Sequence, residues 1–251
     1  MTARVLGVAV PVADLLRDPY GARDRQLLMG EAVRLHDEQG DWVRVEALRD
    51  GYPGWMRRES LADLPAPSHR VSVRATHLYP APDLKSRETA ALSLGSLLTV
   101  TGIVGAFAET PRGFVPAVHL GPLDLPATDP VAVAERLLGT PYLWGGNSAF
   151  GIDCSGLVQI ACLACAIACP GDSHQQAAEL GHALLEGTPP RRGDLFFWPG
   201  HVAWVADPDT LIHANARDMA VAYEPLRAAM TRIKAQGDGR VSHHKRLGKA
   251  P

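Results

Sequence analysis

Cys154 stands in Gly151-Ile-Asp-Cys154-Ser-Gly-Leu-Val, just behind the aromatic, glycine-rich approach Thr140-Pro-Tyr-Leu-Trp-Gly-Gly-Asn. Downstream, His201 lies in the strand-like run Gly200-His-Val-Ala-Trp-Val-Ala, and His213 in Leu211-Ile-His-Ala. A thiol at the first turn of a helix feels the positive end of the helix dipole. A neighbouring imidazolium adds to that field, and both favour the thiolate, the form that attacks a carbonyl. Cys154 therefore reads as a nucleophile, and His201 as the group that takes or holds its proton and returns it to a leaving amine. Taken singly, a buried helical cysteine or a packed core histidine would be the plainer reading. The pair in this order carries the argument. A third polar group is needed to orient the His201 ring, and His213 and Asn215 both qualify.

Bulk properties exclude more than they identify. The chain has 251 residues, enough for one large domain or two to three small ones, with 46% apolar and 21% charged residues. A formal charge of −2 offers no basic surplus for a phosphate backbone, so no nucleic-acid partner is expected. The longest apolar run, Ile160 to Cys169, falls short of the roughly 20 residues a bilayer needs, so no membrane span is expected. The N-terminal segment has one arginine and a brief apolar stretch, then Asp14, Arg17, Asp18 and Asp24, which does not read as a secretory leader. The four cysteines, Cys154, Cys162, Cys165 and Cys169, crowd one helix, where pairs rarely reach bridge geometry. Cys162-Leu-Ala-Cys165 lacks a second ligand pair, so the later cysteines read as small core residues. Neither metal nor cofactor is expected. Reduced thiols agree with a cytoplasmic location.

Two proline-rich stretches, Leu64-Pro-Ala-Pro-Ser68 and Gly121 to Pro130, divide the chain into 1–64, 65–123 and 124–251. In the first part Glu31–His36 and Trp42–Leu48 alternate apolar and polar residues across the turn Asp37-Glu-Gln-Gly-Asp41, and Gly51-Tyr-Pro-Gly-Trp starts a further strand. The second part repeats the theme in Arg70–Ala75, Leu97–Val104 and Gly113–Ala117, so two small all-β barrels in tandem are expected. From Asp129 the pattern becomes helical. Asp129-Pro130 supplies an N-cap and a proline at the first helical position. A buried helix is expected from Cys154 to about Ala168, and a third from Gln175 to Leu185. Strands are expected at Leu195–Trp198, Val202–Ala206 and Thr210–His213. Helices first and an antiparallel sheet after is an α+β layout.

The motifs Pro141-Tyr-x-Trp-Gly-Gly, Asp153-Cys-Ser-Gly, Arg192-Gly-Asp-Leu and Gly200-His-Val resemble the NlpC-type cell-wall peptidase family, over most of residues 129–225. The two β regions resemble bacterial SH3 domains, clearly in the first copy and weakly in the second. The resemblance implies a papain-like α+β catalytic domain preceded by two SH3-like barrels. It favours His213 over Asn215 as the orienting group, because Ile-His-Ala matches the family pattern, and makes the Tyr142 hydroxyl a second oxyanion donor beside the Cys154 N–H.

With Pro170-Gly-Asp172-Ser173, the arrangement looks like γ-D-glutamyl-L-diamino acid endopeptidases that recycle cell-wall peptides with a free N-terminal L-alanine. The resemblance implies a murein peptide as partner and an acceptor set for its ammonium, for which Asp24 and Tyr52 are the candidates. Glutamate is the commoner acid there, and the intervening loop is longer. Ser155 and Ser173 would donate to the D-glutamate carboxylate, Asp172 would touch substrate or loop, and Trp144 would line the wall. Each also has a helix-cap or packing reading. An exported hydrolase of intact peptidoglycan and an inactive peptide-binding protein are the competing expectations. An acyltransferase of permuted order is disfavoured because its histidine would precede the cysteine. Arg49, Arg57 and Arg58 read as a solvated basic face, and the basic tail from Arg240 as a frayed terminus.

Overall fold

A computed structural model describes residues 4–248, so Met1 to Ala3 of the leader question and Lys249 to Pro251 of the tail lie outside the described residues. Two compact units emerge, one running to Pro126 and including Asn147–Phe150, the other comprising Ala127–Gly146 and Gly151 onward.

The first unit is all β. Strands β1 (Val5–Val8), β2 (Val12–Leu16), β3 (Arg23–Leu28), β4 (Ala32–Gln39), β5 (Trp42–Ala47), β6 (Pro53–Arg57) and β7 (Leu61–Ala62) form one antiparallel sheet in the order β3-β2-β6-β5-β4-β1-β7. Alternation does the work predicted of it: Val33, Val43, Val45 and Met56 turn inward onto Leu6, Val8, Leu15 and Leu27. Strands β8 (His69–Val71) to β15 (Leu120–Pro122) follow as a two-stranded and two three-stranded sheets. Met29 joins their core with Val71, Leu78, Leu92, Leu98 and Val115. Neither region closes its hydrogen bonding into a barrel among the described residues. The arginine reading needs correction. Arg49 is largely buried and pairs with Glu31 at 2.6 Å, and the Arg57 guanidinium lies 4.3 Å over the Trp42 ring. Only amphipathic stems and planar cations pack this way.

The second unit is α+β. Helix α1 (Pro130–Glu135) begins as expected, with the Asp129 carboxylate accepting the N–H groups of Val131 and Ala132. Helix α2 (Cys154–Ala164) packs against α1 and against strands β20 (His201–Asp207) and β21 (Thr210–Asn215). It stops earlier than Ala168. Ala166 adopts φ +56°, and the N–H groups of Ala166 and Ile167 return to Leu163 and Cys162 carbonyls, a Schellman ending. The third helix also shifts. Helix α3 spans Ser173–Glu179, and Gly181 at φ +51° lets the chain turn into strand β18 (His182–Ala183). Strand β17 (Gly151–Ile152) leads into α2, while β16 (Asn147–Ser148), just before it in the chain, belongs to the first unit.

The sheet of this unit runs β18-β23-β19-β20-β21-β22, with β19 (Asp194–Trp198), β22 (Ala220–Pro225) and β23 (His243–Arg246). Helix α4 (Leu226–Gln236) covers the face bearing Phe196, Trp198, Ala203, Val205 and Leu211 through Leu226, Ala229 and Ile233. The tail expected to fray is therefore an interior strand. Arg246 and His244 reach the buried Asp194 carboxylate at 2.6 and 2.8 Å, and Lys245 donates to the Ala177 carbonyl at the end of α3. Its charges have partners inside the fold, which composition alone could not reveal.

Candidate active site

Local sequence explains how the thiol is presented. Asp153 is the N-cap of α2, and its carboxylate accepts the Gly156 N–H at 2.7 Å, the Gly145 N–H at 3.0 Å and the Ser155 hydroxyl at 3.1 Å. One side chain thus ties the aromatic approach to the helix start. Gly146 is obligatory in that approach, because a Cβ there would lie 2.6 Å from the Gly151 carbonyl oxygen. Cys154 follows at the first helical position, only 7% exposed, where the main-chain N–H groups have no partner within the helix. Its sulfur lies 4.0 Å from the Gly200 carbonyl oxygen.

The imidazole is set by a hairpin. Trp198 pairs with His201 across the two-residue turn Pro199-Gly200, and Gly200 takes φ +75°. Proline followed by a residue at positive φ is the type II turn pattern, and it delivers His201 as the first residue of β20. His201 Nε2 lies 2.8 Å from His213 Nδ1, and His213 Nε2 lies 3.1 Å from Glu224 Oε2. With Nε2 engaged, Nδ1 is the nitrogen of His201 left for the thiol. Burial pushes the His201 imidazole down to about 3, the nearby His213 and Arg232 push the same way, and Glu224 opposes them. The ring is neutral at physiological pH, a base ready to accept a proton rather than a preformed imidazolium. Asn215, the alternative orienting residue, is occupied elsewhere. It bonds the Asp218 carboxylate and accepts the Asp218 N–H, closing the turn after β21.

Tyr142 lies near the thiol. Burial, reinforced by negative charge at Cys154 and Asp153, raises its phenol far above the ordinary range, so the hydroxyl keeps its proton and remains a donor. Trp144 is 72% exposed. Ser155 is buried, with its hydroxyl on Asp153. Asp172 is the N-cap residue of α3 and makes no side-chain cap bond, while Ser173 is the first residue of that helix. Gln176, from the same helix, donates to the Ser155 and Pro170 carbonyls and so holds the Pro170–Asp172 loop against the start of α2.

The remaining candidates belong to the β unit. The Asp24 carboxylate accepts from the Arg17 guanidinium at 2.8 Å. Tyr52 packs partly buried against the first core, with the Arg25 guanidinium 5.9 Å from its ring centre. Sequence reasoning missed Glu224 altogether. Val221-Ala-Tyr-Glu-Pro is an ordinary edge-strand pattern, and nothing local tells that the glutamate faces inward.

Residues 139–239 match the NlpC/P60 family, and residues 15–61 match the bacterial dipeptidyl-peptidase SH3 domain. The chain is 32% identical over 189 residues to a Bacillus subtilis protein named gamma-D-glutamyl-L-lysine dipeptidyl-peptidase, a match covering 69% of this chain and 63% of that protein. A Bacillus cereus protein of the same name is 26% identical over 237 residues, covering 81% of this chain and 70% of the relative. The match thus spans less than two thirds of the Bacillus subtilis protein's length. In fold, the chain is similar to the crystal structure of an NlpC/P60 family protein from Bacillus cereus, with TM-score 0.81 at 22% identity over 97% of this chain and 99% of that one.

Proposed function

The chain belongs to the NlpC/P60 family and carries a bacterial SH3 domain ahead of the NlpC/P60 domain, and on that premise we propose that it is a cysteine peptidase cleaving the γ-D-glutamyl–L-diamino acid bond of free murein peptides with an N-terminal L-alanine. The observation that carries the peptidase chemistry is geometric: His201, held through Nε2 by His213 at 2.8 Å, is the residue after the carbonyl that lies 4.0 Å from the Cys154 sulfur. The names of the Bacillus relatives support the bond cleaved.

In this reading His201 Nδ1 takes the Cys154 proton as sulfur attacks the carbonyl carbon. The resulting oxyanion receives donors from the Cys154 N–H and the Tyr142 hydroxyl. His201 then gives its proton to the departing amine of the diamino acid, and an acyl-enzyme thioester remains. A water molecule, deprotonated by the same nitrogen, hydrolyses it and restores the thiol. Trp144 lines the substrate wall, Ser155 and Ser173 donate to the D-glutamate α-carboxylate, and Asp172 contacts the substrate or its loop. Asp24 and Tyr52 hold the free ammonium, Asp24 exchanging its Arg17 partner for it. The segment 65–123 acts as a second SH3-like module, and the reaction takes place in the cytoplasm on peptides released by wall turnover.

The test compares L-Ala-γ-D-Glu-diaminopimelate with its N-acetylated form at equal concentration. Acetylation removes the ammonium, leaving its acceptors unpaired, and should lower kcat/KM at least about 10²-fold. Equal rates would reject ammonium recognition, and no cleavage of either peptide would reject the peptidase reading.

A further inference from the structure

We propose that Glu224 is a positioning residue that fixes the tautomers of both histidines, leaving the proton-accepting lone pair of His201 on Nδ1. The inference rests on the reading of His201 as general base. It adds a residue outside the thiol–imidazole pair.

Glu224 is 1% exposed on β22, and His213 is fully buried on β21. Both carboxylate oxygens are engaged. Oε1 accepts from Arg217 at 2.9 Å and from Arg232 Nε at 2.9 Å, and Oε2 accepts from Arg232 Nη2 at 2.7 Å and faces His213 Nε2 at 3.1 Å. The Arg232 guanidinium, with His213 assisting and burial opposing, holds this carboxyl far below the usual range. An ionised carboxylate only accepts, so His213 Nε2 must carry a proton. In neutral His213 the lone pair then sits on Nδ1. A bond of 2.8 Å to His201 requires one shared proton, and that proton must belong to His201 Nε2. His201 Nδ1 is thereby left bare.

The paired arginines give the arrangement its second half. A cationic His213 would donate from Nδ1 to His201 Nε2 and place the His201 proton on Nδ1, where it blocks the base. Arg217, from the turn after β21, and Arg232, from α4, hold the Glu224 carboxylate at 2.9 and 2.7 Å, so the oxygen facing His213 Nε2 remains an acceptor.

Nitrogen-15 spectra of the full chain with labelled histidine, at neutral pH, read the tautomers without any substrate. The expected wild-type result is protonated Nε2 and bare Nδ1 on both His201 and His213. In Glu224→Gln, the amide can donate to His213 Nε2 and invert the chain, so both rings should shift toward protonated Nδ1. For turnover, kcat should fall at least about 10²-fold with KM within about twofold, the pattern of an interaction lost in proton transfer rather than in binding. A wild-type spectrum with protonated Nδ1 on His213 would overturn the proposal, whether or not the variant folds. So would a folded variant with unchanged tautomers and kcat. Failure of the peptidase reading would appear as absent turnover in wild type while leaving the tautomer result to stand or fall by itself.

Discussion

At the scale of single residues, the chemistry depends on how few groups control protonation. His201 is pushed down to about 3, chiefly by burial. A base is active in its deprotonated form, so the neutral ring persists as pH falls well below the 6.5 of a free imidazole. The acidic limb of kcat/KM should accordingly lie below 6.5, and a pH–rate profile checks it. A limb at or above 6.5 would mean that the free enzyme holds the imidazolium instead. Tyr142 gives a second prediction. Its raised phenol keeps the hydroxyl protonated, and Tyr142→Phe should reduce kcat by about 10²-fold, on the order of 3 kcal/mol of barrier lowering. Unchanged turnover would remove Tyr142 from the oxyanion site. Cys154 and His201 could both be picked out from local sequence, because a helix start and a strand-like run are encoded within a few residues. Glu224 could not. Its role arises from a register that pairs it with Leu211 across β21 and from Arg232 reaching over from α4.

At the scale of elements, the end of α2 shows how tertiary context overrides an apolar pattern. The run Ile160 to Cys169 looks like continuous helix, yet the Schellman bonds to Cys162 and Leu163 stop it with Ala166 in a left-handed conformation. An L-residue with a Cβ in that region costs about 1–2 kcal/mol, partly offset by the greater unfolded freedom of glycine. Ala166→Gly should therefore stabilise the protein by about 0.5–1 kcal/mol and raise Tm by a few degrees, as calorimetry would register. A fall in Tm would show that the Ala166 methyl packs usefully. The shift of the third helix to Ser173–Glu179 has a similar cause. A Cβ at Gly181 would meet the Arg246 carbonyl oxygen at 2.1 Å, so the chain there follows β23, not helical propensity. Strand β23 was misread because His-His-Lys-Arg is polar by composition. Its burial comes from Asp194 and the α3 carbonyls that receive its charges.

At the scale of the whole molecule, buried and half-buried carboxylates tie the second unit together. Arg246 and His244 lower Asp194 although burial opposes them, Arg192 lowers Glu135 and, against burial, Asp129, and Arg232 lowers Glu224. A carboxyl depressed in the folded state contributes stability above its unfolded pKa of about 4, and that contribution is lost as pH falls further. Tm followed by circular dichroism should stay nearly level from pH 7 to about 5 and decline below about 4; a Tm that rises on acidification would contradict these assignments. Sequence by itself determined the thiol at a helix start, the histidine in a strand-like run downstream, the resemblance to NlpC-type peptidases and the change from strands to an α+β region. These are short-range features, written where the chain is read. Tertiary structure alone decided that Glu224 and Arg232 stand behind His213, and that the basic tail is an interior strand. Each depends on strand register and helix packing between residues distant in the chain, where the partner that makes a polar group buriable lies outside any local pattern.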